Sequence, residues 1–198
     1  MTAEWLPSNE GVALVVVDMQ EGFLQETPWH VPDMGRLLPL IERLATAYAP
    51  RVVFTRFVYQ NPRLWPSDGW QAYYDRWSFW REQAALEEIV AGLRGYAEVA
   101  IDKPTYSCVT PAFLKAIAAM DARRLLFVGV ETDVCVLASV FAAVDAGYRC
   151  AVIGDACTSS VPETHDAAIE IFKRMPDQIE VLRSDNLVRK TEEIHGAT

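Results

Sequence analysis

The apolar residues of this chain fall into six short runs that stretches of helical spacing separate. The runs predict β-strands at 12–17, 51–55, 98–103, 125–130, 149–154 and 178–182. Helical spacing recurs at 34–49, 82–93, 110–120, 134–146 and 162–175. A continuous apolar run suits a strand that is covered on both faces, as in a parallel sheet. The alternation predicts an α/β fold of three α-β-α layers, with a six-stranded, mostly parallel, doubly wound sheet.

The stretch at 57–80 interrupts this pattern with a high density of aromatic residues. They are Tyr59, Trp65, Trp70, Tyr73, Tyr74, Trp77, Phe79 and Trp80, and Pro62, Pro66 and Gly69 lie among them. We predict a long functional loop or lid here and no regular element. Because aromatic side chains are common in both settings, the rings could form a pocket lid or a contact between subunits.

Length and charge limit the classes of protein that this chain can represent. A chain of 198 residues predicts one domain, 1–198, in which the polar stretch 184–198 forms a peripheral tail. The net charge of −9 argues against binding to nucleic acid or to an anionic membrane, since either needs a basic face. There is no apolar run of membrane-spanning length and no signal-peptide pattern at the N-terminus, so we expect a cytoplasmic protein.

The chain has four cysteines, at 108, 135, 150 and 157. They form no Cys-x-x-Cys pair, and no histidine stands near them at zinc-binding spacing. We therefore expect neither disulfides nor a structural zinc site. For each cysteine taken alone, the ordinary interpretation is a buried and unreactive thiol.

Four polar residues stand at or just past the ends of predicted strands: Asp18, Lys103, Cys135 and Asp155. In an open parallel sheet, the functional site lies outside the carboxyl ends of the strands. Each residue also has a structural interpretation. Asp18 could cap a turn, Lys103 could be a solvated loop lysine, and Cys135 could be a core thiol. Their joint placement at one edge favours a site, although Asp155 could simply hydrogen-bond its own loop.

These residue types suit nucleophilic catalysis by a thiol. Cysteine attacks as the thiolate, and both a helix N-terminus and a nearby cation lower the pKa of a thiol. Cys135 stands at a predicted helix start, and Lys103 could supply the cation. Asp18 could carry the proton from the thiol to the leaving group. Backbone N–H groups of the turn before Cys135 could bind the oxyanion.

Several motifs, in order along the chain, resemble the isochorismatase-like cysteine hydrolases. They are Asp18-Met-Gln-x-Gly-Phe, Lys103-x-x-x-Ser107, Gly129-Val-Glu-Thr-Asp-Val-Cys135-Val and Gly147-Tyr…Gly154-Asp-Ala156. The resemblance extends from about 10 to 183, and the segment around Cys135 is its most specific part. The family includes nicotinamidases, N-carbamoylsarcosine amidases and ureide-type amidohydrolases.

The resemblance implies a catalytic triad with Cys135 as nucleophile, Asp18 as general acid and base, and Lys103 between them. It also implies a cis peptide between Val130 and Glu131, an oxyanion hole formed by the N–H groups of Glu131 and Cys135, and a turn braced by Thr132. The implied reaction proceeds through a thioester intermediate that water hydrolyses after ammonia or an amine has left. The implied assembly is a homodimer or homotetramer.

Two departures from related subgroups narrow the expected reaction. Metal-dependent nicotinamidases carry an Asp-x-His pair after the second strand, where this chain has Thr55-Arg56-Phe57-Val58. We therefore expect no metal and no other cofactor, and nicotinamide becomes a poor candidate substrate. Vinyl-ether-cleaving isochorismatases lack the cysteine that this chain has. The expected function is hydrolysis of a C–N bond in a small amide, carbamoyl or ureide compound.

The residues that contact the substrate are predicted from position alone. Arg56 could bind a substrate carboxylate at the pocket mouth, or could be a surface arginine. Gln20, Phe23, Trp77 and Thr132 are further candidates for substrate binding. His165 is expected to be structural, and His30 could approach the site. Two other functions stay open: ether hydrolysis that needs Asp18 but not Cys135, and a non-catalytic scaffold that binds a partner through its aromatic residues.

Overall fold

Six parallel strands form one sheet in the order β3-β2-β1-β4-β5-β6 in the computed structural model, which describes residues 2–59 and 66–187. The strands are β1 (Val12–Val17), β2 (Val52–Phe57), β3 (Ala100–Lys103), β4 (Arg124–Val130), β5 (Arg149–Thr158) and β6 (Ile179–Leu182). All five strand pairings are parallel. The predicted doubly wound α/β architecture is confirmed.

Helices cover both faces of this sheet. They are α1 (Glu21–Leu24), α2 (Met34–Tyr48), α3 (Gly69–Arg76), α4 (Ser78–Glu82), α5 (Pro111–Ala119), α6 (Leu137–Asp145) and α7 (Pro162–Lys173). Short 3-10 helices lie at Thr2–Trp5, Ala84–Glu87 and Ala91–Tyr96. Within the described residues, no helix combines the length and the apolar character needed to cross a membrane.

The apolar run of β1 is continuous because both faces of this strand are buried. Val12, Leu14 and Val16 belong to the core on the side of α2, whereas the alternating Ala13, Val15 and Val17 belong to the opposite core. All six side chains are fully buried. Because successive side chains of a strand point to opposite faces, a strand covered on both sides must be apolar at every position.

The structure corrects the prediction of a loop or lid at 57–80, of which residues 60–65 lie outside the described part. Helices α3 and α4 occupy most of the rest, and their rings pack on one another and on Phe23, Trp29 and Phe57. The helix predicted at 82–93 is also wrong, since this stretch contains only the two 3-10 helices. Local spacing could not reveal either outcome, because burial among aromatic neighbours decides the conformation of such segments.

The C-terminal part of the sheet also differs from the prediction. Strand β5 continues to Thr158, so Asp155 lies inside this strand and accepts hydrogen bonds from N and Oγ of Ser184, at 2.9 and 2.7 Å. The predicted peripheral tail begins with a buried residue, Ser184, and contains Leu187, which is fully buried in the core. Residues 188–198 of that tail lie outside the described part of the chain.

The strand order reverses between β1 and β4, where a crevice opens at the carboxyl ends of the strands. Gly129 makes the close approach of these two strands possible. Its φ of 113° is one that side chains rarely adopt, and a Cβ added there would lie 2.1 Å from the carbonyl oxygen of Val17. This contact sets the spacing between the ends of β1 and β4, from which the residues of the site project.

We expect Gly129→Ala to lower the free energy of unfolding by about 2 kcal/mol or more, because it combines a backbone clash with an unfavourable φ. Urea unfolding followed by circular dichroism measures this change. Gly95→Ala is the matched control, since no heavy atom lies within 4 Å of the Cβ it would add. Equal stabilities of the two variants would contradict the proposed role of Gly129.

Candidate active site

The side chains of Asp18, Lys103 and Cys135 meet at the crevice between β1 and β4. Nζ of Lys103 lies 2.7 Å from Oδ2 of Asp18 and donates a hydrogen bond to Sγ of Cys135 at 3.5 Å. The side chains of Asp18 and Lys103 are completely buried, and Cys135 is 6% exposed. A cation therefore lies in contact with both a carboxylate and a thiol in a site from which most water is excluded.

Asp18 is held at the end of β1 by Thr55 on the neighbouring strand. The residue has a φ of 49°, a left-handed conformation that aspartate tolerates better than most residues. Its N–H donates to Oγ1 of Thr55 at 3.2 Å, and this hydroxyl donates to Oδ1 of Asp18 at 2.6 Å. Oδ2 accepts the contact from Nζ of Lys103 at 2.7 Å and retains a second lone pair. This lone pair can accept a proton.

Lys103 remains charged despite its burial. Burial by itself would lower the pKa of this lysine, but the negative charge of Asp18, followed by Cys135, more than offsets that effect, so its pKa is raised. Nζ also donates to the carbonyl oxygen of Thr105 at 3.0 Å and lies 5.2 Å from the centre of the Phe57 ring. Lys103 thus supplies a permanent positive charge at neutral pH.

Cys135 lies in a π-helical turn, Thr132–Val136, that leads directly into α6. Burial raises the pKa of its thiol, Lys103 lowers it, and Asp18 raises it again, with a net result above the ordinary value. The expected lowering of this pKa by Lys103 is therefore present, but burial outweighs it. The thiol lies beside a carboxylate that can take its proton during attack.

The turn that carries Cys135 is braced by the loop after β5 and by helix α7. The peptide bond between Val130 and Glu131 is cis. N of Ser160 donates to Oε1 of Glu131 at 2.8 Å, and Oγ1 of Thr132 is hydrogen-bonded to Nδ1 of His165 at 2.8 Å. Burial lowers the pKa of His165, which keeps its ring neutral at pH 7. These contacts fix the backbone N–H groups of the turn relative to the sulfur.

A partly open cavity adjoins the sulfur, and aromatic rings form most of its wall. Its lining residues are Phe23, Trp29, Phe57, Tyr73, Tyr106, Glu131, Val134 and Cys135. The cavity volume is about 60 Å³. Such a space suits a small ligand with a flat or apolar group.

The structure places several predicted substrate-binding residues outside this lining. The Gln20 side chain hydrogen-bonds the backbone of Phe57 and the carbonyl of Glu87. Arg56 forms a bidentate pair with Asp102, at 2.7 and 3.0 Å, and approaches Glu88 at 3.7 Å. This geometry corrects its expected position at the pocket mouth and agrees with the alternative of a surface arginine.

Two other candidates for substrate binding, Trp77 and Thr132, do not line the cavity. Trp77 packs edge-on against Trp29, with ring centres 5.7 Å apart, and so supports a cavity wall without lining it. Thr132 is fully buried and holds His165. His30 contacts its own neighbourhood, with Nδ1 3.0 Å from the carbonyl oxygen of Gln25. Phe23 is the one among the predicted substrate-binding residues that lines the cavity.

Sequence reasoning missed Thr55, Phe57, Trp29, Tyr73 and Tyr106 as parts of the site. Thr55 and Phe57 occupy the segment where the related metal-dependent enzymes have Asp-x-His, and here one orients Asp18 while the other lines the cavity. The alternation of side chains along β2 could have indicated that these two residues share a direction. Among the described residues, no three His, Cys, Asp or Glu side chains cluster in a way that could hold a metal ion.

A family model described as the isochorismatase domain matches residues 12–184. No curated protein sequence matches the chain.

Several solved structures share the fold. A cysteine hydrolase from Pseudomonas syringae pv. phaseolicola superposes with a TM-score of 0.78 at 19% identity, covering 93% of each chain. An N-carbamoylsarcosine amidase from Thermoplasma acidophilum has a TM-score of 0.71 at 21% identity, covering 88% of this chain and 96% of its own. A nicotinamidase/pyrazinamidase from Acinetobacter baumanii has a TM-score of 0.69 at 21% identity, covering 89% and 98%. At such identities, the superpositions show a common fold.

Proposed function

We propose that this chain, which belongs to the isochorismatase family, hydrolyses a C–N bond of a small amide, carbamoyl or ureide compound. Cys135 is the nucleophile, Asp18 transfers protons, and Lys103 holds the two in place. The observation that supports this most directly is the buried contact of Lys103 with both the carboxylate and the sulfur. A solvated lysine and an ordinary core thiol would have no such arrangement.

The first half of the reaction forms an acyl-enzyme. As Sγ of Cys135 attacks the substrate carbonyl carbon, the thiol proton passes to Asp18 and an S–C bond forms. The carbonyl oxygen becomes an oxyanion that the N–H groups of Glu131 and Cys135 stabilise. Asp18 then gives its proton to the substrate nitrogen, the C–N bond breaks, and ammonia or an amine leaves. The remaining acyl group is a thioester of Cys135.

Water completes the reaction by the same proton path. Asp18 takes a proton from the attacking water, a C–O bond forms and the oxyanion re-forms. The C–S bond then breaks, the carboxylic acid product leaves, and Asp18 returns the proton to the sulfur. Lys103 keeps its charge throughout, because its pKa is raised. The net charge of the three side chains therefore stays the same when a proton moves from Cys135 to Asp18, which lowers the cost of charge separation in a buried site.

The wall of the cavity favours substrates without a negative charge. Of the lining residues that the structure describes, the charged one is Glu131, an acid. Lys103 does not belong to the lining and is already paired with Asp18. Arg56, which was the candidate partner of a substrate carboxylate, is engaged by Asp102. Among the described lining residues, a substrate carboxylate would therefore find aromatic rings and no free cation. Burial of an unpaired carboxylate costs several kcal/mol.

We expect uncharged primary amides to be hydrolysed with a kcat/KM at least about 100-fold above that of an anionic amide of similar size. The matched panel is 3-methylbutanamide, which is neutral, 3-aminopropanamide, which is a cation, and succinamate, which is an anion. Ammonia release measures turnover. A preference for succinamate would contradict the charge selectivity, whereas ammonia release from none of the amides, nor from matched carbamoyl and ureide compounds, would contradict the proposed function itself.

A further inference from the structure

Two adjacent tyrosines of α3 point their hydroxyl groups to different places. The hydroxyl of Tyr74 donates to the carbonyl oxygen of Pro104 at 2.7 Å, so it ties α3 to the loop after β3. Tyr73 instead lines the cavity together with Cys135 and Glu131. Its hydroxyl makes no hydrogen bond within the described part of the chain. A donor without a protein partner therefore faces the space beside the nucleophile.

The ring of Tyr73 is packed against other rings, although its hydroxyl has no hydrogen-bond partner among the described residues. Trp29, Trp70, Tyr74 and Tyr106 surround it, with ring centres 5.2 to 5.9 Å away. Edge-on and tilted contacts of this kind stabilise a ring in one orientation. A donor on such a ring is pre-organised, and a pre-organised donor stabilises developing charge without a reorganisation cost at the moment of reaction.

The electrostatic surroundings of Tyr73 agree with this placement. Burial raises the pKa of the phenol most, and neighbouring groups that include Cys135 and Glu131 raise it further. The phenol is therefore a neutral donor at any working pH. Tyr106 also lines the cavity, but this residue is 38% exposed, so water competes for its hydroxyl.

We propose that the Tyr73 hydroxyl donates a hydrogen bond to the oxygen of the carbonyl group that Cys135 attacks, as a side-chain member of the oxyanion hole. This inference rests on the proposed function, since it assumes attack of Cys135 on a carbonyl carbon. It adds a donor from the aromatic helix α3 to the two backbone N–H groups on the turn before α6. The ligand class that it selects is a small compound whose carbonyl group reaches the sulfur.

A small aldehyde tests this role without knowledge of the natural substrate. Isobutyraldehyde adds reversibly to a thiol: the S–C bond forms as the C=O π bond breaks, and the thiol proton passes to the former carbonyl oxygen, which becomes a hydroxyl. This oxygen occupies the oxyanion position. Binding is measured as protection of Cys135 against alkylation by iodoacetamide, followed by mass spectrometry. The midpoint of protection gives the dissociation constant independently of the alkylation rate of each variant.

We expect Tyr73→Phe to raise the dissociation constant of the aldehyde about tenfold, the effect of one lost hydrogen bond. Tyr74→Phe is the matched control and should change it by less than about twofold, although it lowers stability. Equal constants for Tyr73→Phe and the wild-type protein would overturn the role of Tyr73. Failure of the aldehyde to protect the wild-type protein would overturn the oxyanion site, whereas the proposed function itself is tested separately by ammonia release from the amide panel.

Discussion

Replacement of Cys135 by alanine is expected to reduce hydrolysis of the best amide in the panel by about 10³-fold or more. The reason is that, among the described residues, Cys135 is the cysteine whose sulfur contacts Lys103 and which also lines the cavity. Without it, the reaction depends on direct attack by water. Ammonia release under saturating substrate measures the loss. The variant should fold normally, because alanine fills most of the space of a thiol.

Cys150→Ala is the matched control for this experiment. Cys150 is also fully buried, but it lies near the beginning of β5, at the opposite end of the sheet from the site. Its replacement should leave kcat/KM within about twofold while it costs a comparable amount of stability. Full activity of Cys135→Ala on the amide would exclude the thioester route.

Replacement of Asp18 by asparagine is expected to lower kcat by about 10²–10⁴-fold, the usual contribution of a general acid and base. Asparagine keeps the shape of the side chain and can still accept the hydrogen bond of Thr55. It cannot take the thiol proton, and it leaves Lys103 buried without a counter-charge. The second effect should also lower the free energy of unfolding by about 3–5 kcal/mol. Single-turnover kinetics and urea unfolding separate the two consequences.

The double variant Asp18→Asn/Lys103→Met distinguishes lost chemistry from lost stability. Removal of both charges takes away the unpaired buried cation, so most of the stability of the wild-type protein should return. Activity should stay as low as in Asp18→Asn. Recovery of activity together with stability would show that Asp18 serves the fold and not the proton transfer.

Much of the fold could be predicted because a parallel sheet covered on both faces requires a simple pattern in the sequence. A strand covered on both faces must be apolar throughout, and the residue that ends such a run must lie at the edge of the sheet. Asp18 after β1 and Cys135 after β4 follow from this condition, as does the expectation that they meet. Five of the six predicted strand positions needed only changes of a few residues at their ends, whereas β5 continues four residues further.

The aromatic segment could not be predicted in the same way. Its prolines, glycine and irregular spacing resemble those of a loop, and no local pattern shows that α3 and α4 form there. Their conformation depends on packing against Phe23, Trp29 and Phe57, which come from distant parts of the chain. Tyr73 and Tyr74 have the same local sequence context, and only this packing directs one hydroxyl to the cavity and the other to Pro104.

The sequence by itself determined the order of the layers, the edge of the sheet where the site lies, and the residue types that meet there. These properties follow from periodicity and from the covalent order of the chain. Only the tertiary structure decided the burial that raises the pKa of Cys135, the ion pair of Arg56 with Asp102 and the aromatic wall around the sulfur. The physical reason is that burial and charge pairing depend on neighbours that are remote in sequence. These neighbours determine the pKa values of the side chains in a site and which hydrogen-bond donors are left for a ligand.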